Sequence, residues 1–358
     1  MLEIASIFLG IVPMVVFAIL IWRIDCWETE PLPLVVGAFL WGAVPSIIFA
    51  VMFGVLFTVP MEFLGIYDEK SFFGLFYTAG ILAPLSEEFA KGVGVLLVFV
   101  TLKKHIHSIL DGVIYGSVVG FGFSAIENTS YFLTETSWNG LWQHFQGRAI
   151  DTGLSHSIFT GATGAGMALG LFSSKQSHRY LWPLAGFGAA VFLHFTHNTL
   201  VVVDKFTESG IAGILLYLIN NNIIFIFLAI IIYCLYREFL WISLQLDDEA
   251  RADILTYRQA GDAASLWHRT GLVAFEIGFS NMLARRKLLK TATKLAYSKQ
   301  HCQLRSIPFS SDMKLQRLRQ EVKFLSPRDP LIHTDRDRQF EPQPPPLPPA
   351  RYIPPPLP

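Results

Sequence analysis

Seven stretches of this chain, at about 4–22, 33–57, 72–102, 110–132, 153–172, 181–203 and 211–236, are each apolar over roughly the length needed to cross a bilayer. Only 16% of the 358 residues are charged, where a soluble protein carries about 25%. The fold class that follows is all-α: a polytopic transmembrane helix bundle of about 7–8 spans. The first apolar run lacks a basic leading region and a small-residue cleavage signal, and it reads as a retained helix. Cys26, Cys234 and Cys302 are far apart and form neither a disulfide framework nor a CxxC metal motif.

Composition shifts near Gln245, and 18 of the 28 Lys and Arg lie beyond it. Residues 1–244 read as the membrane domain and 245–305 as an amphipathic helical extension. Residues 306–338 look polar and poorly patterned. The end, Pro342 to Pro358, is proline-rich and reads as a disordered, polyproline-like tail, so 306–358 is taken as one disordered segment. With seven spans, the loops carrying Arg23, Lys103, Lys104, Lys175, Arg179 and Arg237 share one side. The opposite loops hold Lys70, Arg148 and Lys205, so positive-inside bias places the C-terminal region in the cytoplasm. The run from 72 to 102 is too long for one straight span; a short element, then a helix starting at Pro84, is the expected solution.

Ionisable groups break these apolar runs. Glu87, Glu88 and Lys91 fall within five residues of each other, and each would cost about 2.5–3.5 kcal/mol at the centre of a membrane helix. Glu127, His156, His194 and Asn198 interrupt three other segments, and all these groups are expected at a similar depth in the outer half of the bilayer. Small residues share their helical faces: Gly112, Gly116 and Gly120 lead towards Glu127, while Gly186 and Ala190 lead to His194 and Asn198 at i+4 spacing. Gly153, His156, Thr160 and Gly164 repeat the pattern. Such ridges allow close helix approach and turn polar groups into the bundle.

The chemistry of this set is hydrolytic. Paired carboxylates beside a lysine can be tuned as a general base. Histidines can polarise a carbonyl or bind a metal, and an amide one turn away can donate to a developing oxyanion. The alternatives are a structural ion network and individually satisfied buried histidines. His197 is a weaker candidate, and Asp111 suits dipole stabilisation at a helix start. His105 and His107 fit a solvated basic loop, and the run Arg285-Arg286-Lys287 to Lys299 a wet helix face or an anionic-lipid contact rather than a nucleic-acid site. Pro346 to Arg351 has the pattern of an SH3-type ligand.

The motifs Pro84-Leu-Ser-Glu87-Glu88-Phe-Ala-Lys91, Asp111-Gly112 leading to Glu127-Asn128, His156 before a small-residue helix, and His194-Phe-Thr-His197-Asn198 resemble those of the PrsW-type intramembrane proteases. The early segment from Asp25 to Glu30-Pro31 also looks like that family, and the likeness spans about 20–205. More distantly the chain is similar to CAAX prenyl proteases and to the scaffold subunit of gamma-secretase. The resemblance implies cleavage of a membrane-anchored, regulatory protein in a bacterial plasma membrane. Glu87 and Glu88 would activate water with Lys91 as charge partner; Glu127, His156, His194 and Asn198 would complete the site. Whether a divalent metal such as zinc takes part stays open: there is no HExxH, and His156, His194 and Glu127 are the candidate ligands. The expected partners are the lipid bilayer, the membrane-anchored substrate and a cytoplasmic partner of 245–358. Two competing classes are a catalytically silent membrane scaffold and an ion-coupled transporter, the latter without any inverted repeat to support it.

Overall fold

A computed structural model describes residues 1–65, 68, 70–103, 106–207, 210–265, 279–304 and 307–329. Lys104, His105 and the proline-rich tail with its SH3-type pattern lie outside the described residues. Among those described, regular structure is entirely helical. The chain divides into two compact units: Met1–Ile24 with Glu30–Ile232, and Asp25–Thr29 with Tyr233–Pro358.

In the first unit, α1 is Leu2–Ile24 and α2 is Leu32–Phe63. The helix α3 covers 72–101, α4 is Ile109–Phe132, and the short α5 is Trp138–Phe145. Then come α6, Ser155–Phe172; α7, His178–Thr207; and α8, Ile211–Arg251, which continues into the second unit. All seven expected segments are helical. Among the described residues, five helices, α1, α2, α4, α7 and α8, are long and apolar enough to cross a membrane. Of the other two, α3 carries Glu87, Glu88 and Lys91 within five residues, and α6 is short and rich in Gly, Ser and Thr.

The hub is α4, 89% of whose apolar window is buried, against 17% for α7. Its glycine ridge explains the packing: a methyl group at Gly112, Gly116 or Gly120 would collide with the carbonyls of Gly164, Thr160 and His156 respectively. The ridge therefore fixes the register of α6 one turn at a time and delivers His156 beside the C-terminal half of α4. The same device joins α6 to α7, where Gly166 and Gly186 face each other. Lipid offers no hydrophobic drive for helix pairing, so contact of this closeness has to supply it. At the start of α4, Ser108 and Asp111 form a reciprocal capping box, the dipole-stabilising role expected of Asp111.

The regular α-helix begins close to where it was expected, at Ala83 with Pro84 in its first turn, but what precedes it is not a separate element. Residues 72–101 run without a break through a wide π-helical turn, Phe76–Leu82, and Pro45 of α2 is absorbed by a similar turn, Gly42–Ser46. The cause is backbone accounting. The Ala83 N–H bonds back to the Thr78 carbonyl, one residue further than in an α-helix. The next donor would be residue 84, which as proline has no N–H. The Ala79 carbonyl is thus orphaned, and Asn198 Nδ2 of α7 donates to it at 2.8 Å.

The second unit has its own core. The C-terminal part of α8 packs with α9 (Tyr257–Ala264), α10 (Phe279–Leu304) and α11 (Met313–Leu325) around Leu246, Ala263, Leu295 and Leu315. Trp27 enters this core from the segment Asp25–Thr29 and donates its indole N–H to the Ala264 carbonyl at 2.8 Å. The helix α11 lies inside the stretch read from sequence as poorly patterned. Leu315, Leu318 and Val322 form its buried stripe, and Asp312 caps its start. The basic run is also only partly wet. Arg286, Lys287, Lys290 and Lys294 are exposed. Arg285 is buried between Asp262 and Asp329, and Lys299 is buried beside Glu249.

Candidate active site

Four helices place their polar residues together. On α3, Glu87, Glu88 and Lys91 share one face through i+3 and i+4 spacing, and all three are buried. Lys91 Nζ lies 2.5 Å from Glu88 Oε1, 3.6 Å from Glu87 Oε2 and 3.2 Å from His156 Nδ1, under the ring of Phe123 at 4.2 Å. One ammonium thus serves two adjacent carboxylates, and it sits much closer to the second.

Glu88 is the locked member. Besides Lys91, it accepts from Thr160 Oγ1 at 3.1 Å and holds His194 Nδ1 at 3.0 Å. With Nδ1 donating to that carboxylate, His194 directs Nε2 towards Glu87 Oε2, 3.8 Å away. The imidazole is also stacked on Phe159 and edge-on to His156, with ring centroids 5.2 and 4.9 Å apart. This is how second-layer groups fix the orientation of a reactive histidine.

Glu87 is the open member. Its side chain keeps 12% of its exposure, and Oε2 is a buried oxygen without a hydrogen-bond partner. A carboxylate oxygen in that condition is costly unless something else approaches it.

The second layer includes groups the motifs did not reveal. Glu127 Oε2 meets His156 Nε2 at 2.9 Å and Arg148 Nη2 at 2.7 Å, while Arg148 Nε donates to Asn128 Oδ1 at 3.1 Å. Arg148 also stacks over Tyr131 at 3.8 Å. In the sequence Arg148 was one more loop charge; nothing in its spacing tied it to Glu127. Thr160 was visible only as a small residue on a helical stripe.

The structure therefore brings Glu87, Glu88, Lys91, Glu127, His156 and His194 into one connected cluster. Asn198 bonds elsewhere: one of its amide N–H groups donates to the Ala79 carbonyl and braces the wide turn of α3. His197 also points away, its Nδ1 resting 3.3 Å from Asn220 Oδ1 of α8.

A divalent metal would suit part of this cluster. Ligand atoms of Glu87, His156 and His194 all lie within 4.8 Å of one another. Two imidazoles and one carboxylate are the donor set of many hydrolytic zinc sites, and the unpartnered Glu87 Oε2 is the orphan such an ion would satisfy. The expected ligand set included Glu127; the geometry puts Glu87 in its place and leaves Glu127 as the partner of His156.

An all-α membrane bundle enclosing paired glutamates and two histidines holds the groups that hydrolysis within a membrane requires. Residues 30–232 match the family model described as PrsW family intramembrane metalloprotease, and the chain belongs to that family. It is similar to the Protease PrsW of Geobacillus kaustophilus, 29% identical over 196 residues that cover 55% of this chain and 79% of the relative. It is 26% identical to the Protease PrsW of Clostridioides difficile over the same shares. The Protease PrsW of Bacillus subtilis is 30% identical over 129 residues, 36% of this chain and 54% of that protein. No solved structure matches the chain significantly. The protein is an intramembrane peptidase.

Proposed function

We propose that the chain hydrolyses a peptide bond of a membrane-anchored protein, with Glu87 as the carboxylate that takes the proton from the attacking water. The observation that carries this reading is the asymmetry of the pair: Glu88 is fully engaged, whereas Glu87 Oε2 accepts no hydrogen bond, lies 3.6 Å from Lys91 Nζ and faces His194 Nε2.

Each neighbour then has a task. Lys91 keeps charge near the two carboxylates, so that the acid pair can persist away from water. Glu88 and Thr160 hold His194 in one tautomer and one orientation. Glu127, steadied by Arg148, does the same for His156. A proton accepted at Glu87 can pass to the amide nitrogen that departs, as general acid–base catalysis requires. Were a divalent metal resident, Glu87, His156 and His194 would hold it, Glu87 would then be a ligand instead of the proton acceptor, and the ion would supply Lewis-acid polarisation of the scissile carbonyl and acidify water. The bacterial plasma membrane, with the C-terminal region in the cytoplasm, is the setting this reading takes.

The test is to express Glu87→Ala in the native cell and map protein N-termini against wild type. A single-pass protein that accumulates intact, with loss of one internal N-terminus, supports the proposal and names the substrate. An unchanged N-terminal map in cells that depend on the protein would contradict it.

A further inference from the structure

The last turn of α10 and the start of α11 bring together three side chains of the second unit that the peptidase reading does not use. They are His301 and Cys302 on α10 and Asp312, the N-cap of α11. Their donor atoms all lie within 4.8 Å of one another. Cys302 is buried, Asp312 half-buried and His301 exposed, which leaves one side open to solvent.

The approach is held by the surrounding backbone. Ile307 N–H bonds to the Cys302 carbonyl at 2.8 Å, which holds Ile307 against the last turn of α10. Gln316 Nε2 donates to the Phe309 carbonyl at 2.8 Å and ties the return segment to α11. Asp312 divides its carboxylate: Oδ1 accepts the Leu315 N–H at 2.8 Å to cap the helix, and Oδ2 faces Cys302 Sγ at 3.4 Å. On a tetrahedral zinc ion with a sulfur ligand at about 2.3 Å and an oxygen ligand at about 2.0–2.2 Å, those two atoms are about 3.5 Å apart. The sulfur and oxygen are therefore already separated by one edge of that tetrahedron. Imidazole, thiolate and carboxylate together favour a borderline-soft ion over calcium or magnesium, which take oxygen alone.

We propose that His301, Cys302 and Asp312 form a divalent-cation site of the zinc type in the helical extension, separate from the membrane cluster and open to a water ligand on the His301 side. Binding replaces the thiol proton with the ion and releases that proton to solvent. The ion clamps the end of α10 to the beginning of α11.

Cobalt(II) is the probe, because a thiolate ligand gives it an intense near-ultraviolet charge-transfer absorption that carboxylate and imidazole do not. The full chain, stripped of metal and held in detergent micelles, is titrated with cobalt. The expected result is a charge-transfer absorption that saturates with one ion and is bleached by zinc. It should persist in His194→Ala, vanish in Cys302→Ala, and require about tenfold or more cobalt in His301→Ala. Wild-type protein without that absorption would overturn the proposal, and so would its survival in Cys302→Ala. Because His301 is exposed, His301→Ala keeps the fold, and unchanged cobalt affinity in that variant would be equally fatal.

Discussion

Both units of this protein bury one cation between two carboxylates, and they finish the arrangement differently. In the helical extension, Arg285 bonds both oxygens of Asp329 at 2.9 Å and reaches Asp262 with its other nitrogen. Gln259 closes the group by donating to Asp329 Oδ2 at 3.1 Å. In the membrane unit, Lys91 binds Glu88 tightly and leaves Glu87 Oε2 with no hydrogen-bond partner. Equal charge ratios thus give a network closed at its carboxylates in one place, with Arg285 Nε itself left unpaired, and a network with an open carboxylate in the other. The closed network can specify structure; the open one has a group left over for chemistry.

That contrast can be broken in several ways, and the largest effect is expected at Glu87. Glu87→Gln keeps the shape and removes the proton acceptor, so peptide cleavage should fall by about 100-fold or more, with the melting temperature close to wild type. Steady-state cleavage of a single-pass reporter, beside a thermal melt, would measure both. Removing the cation of the closed network should reverse the pattern. Arg285→Met strands two buried aspartates and should cost the extension about 3–5 kcal/mol, read by denaturant unfolding. If Glu87→Gln destabilised the protein as severely, the open network would be structural too.

The brace on α3 comes next. Asn198→Ala leaves the Ala79 carbonyl unsatisfied beside Pro84, at about 1–3 kcal/mol. It should loosen the turn that leads into Glu87 and Glu88, seen as faster hydrogen exchange over 76–83. The smallest effect is at Cys302. Burial, and then the hydrogen bond to Asp312, push its thiol up to about 11. A raised thiol value means that the folded state holds the proton more tightly. Its contribution to stability is full below the ordinary thiol range and fades as pH rises towards 11. In metal-free protein, Cys302→Ala should flatten the pH dependence of extension stability between about 9 and 11.

Most of the bundle was legible from sequence because lipid imposes simple rules. Apolar length gave the seven helical segments, and small residues at i+4 gave the faces they turn to one another. The connected cluster was visible for the same reason: ionisable residues on α3, α4, α6 and α7 needed a common place to go. What stayed hidden depended on contacts without a local pattern. Arg148 reaches Glu127 from 21 positions along the chain, and its use there follows from the turn at 146–151, which no periodicity announces. Pro84 was legible as a first-turn residue, but not the wide turn that joins it to the helix before it, whose missing donor comes from Asn198 on another helix. Asn198 itself was expected to face a reacting carbonyl and is occupied by a backbone carbonyl. In the extension, the stripe Leu315, Leu318 and Val322 was present in the sequence but masked by its basic neighbours.

The central claim is that the two adjacent glutamates do different work. The most direct test is to reconstitute wild type, Glu87→Gln and Glu88→Gln in liposomes with a single-pass substrate, and measure cleavage and thermal stability together. Glu87→Gln should lose cleavage and keep its stability, whereas Glu88→Gln, which frees His194 and strands Lys91, should lose both. Wild-type cleavage by Glu87→Gln, or matching losses of stability in the two variants, would contradict the account.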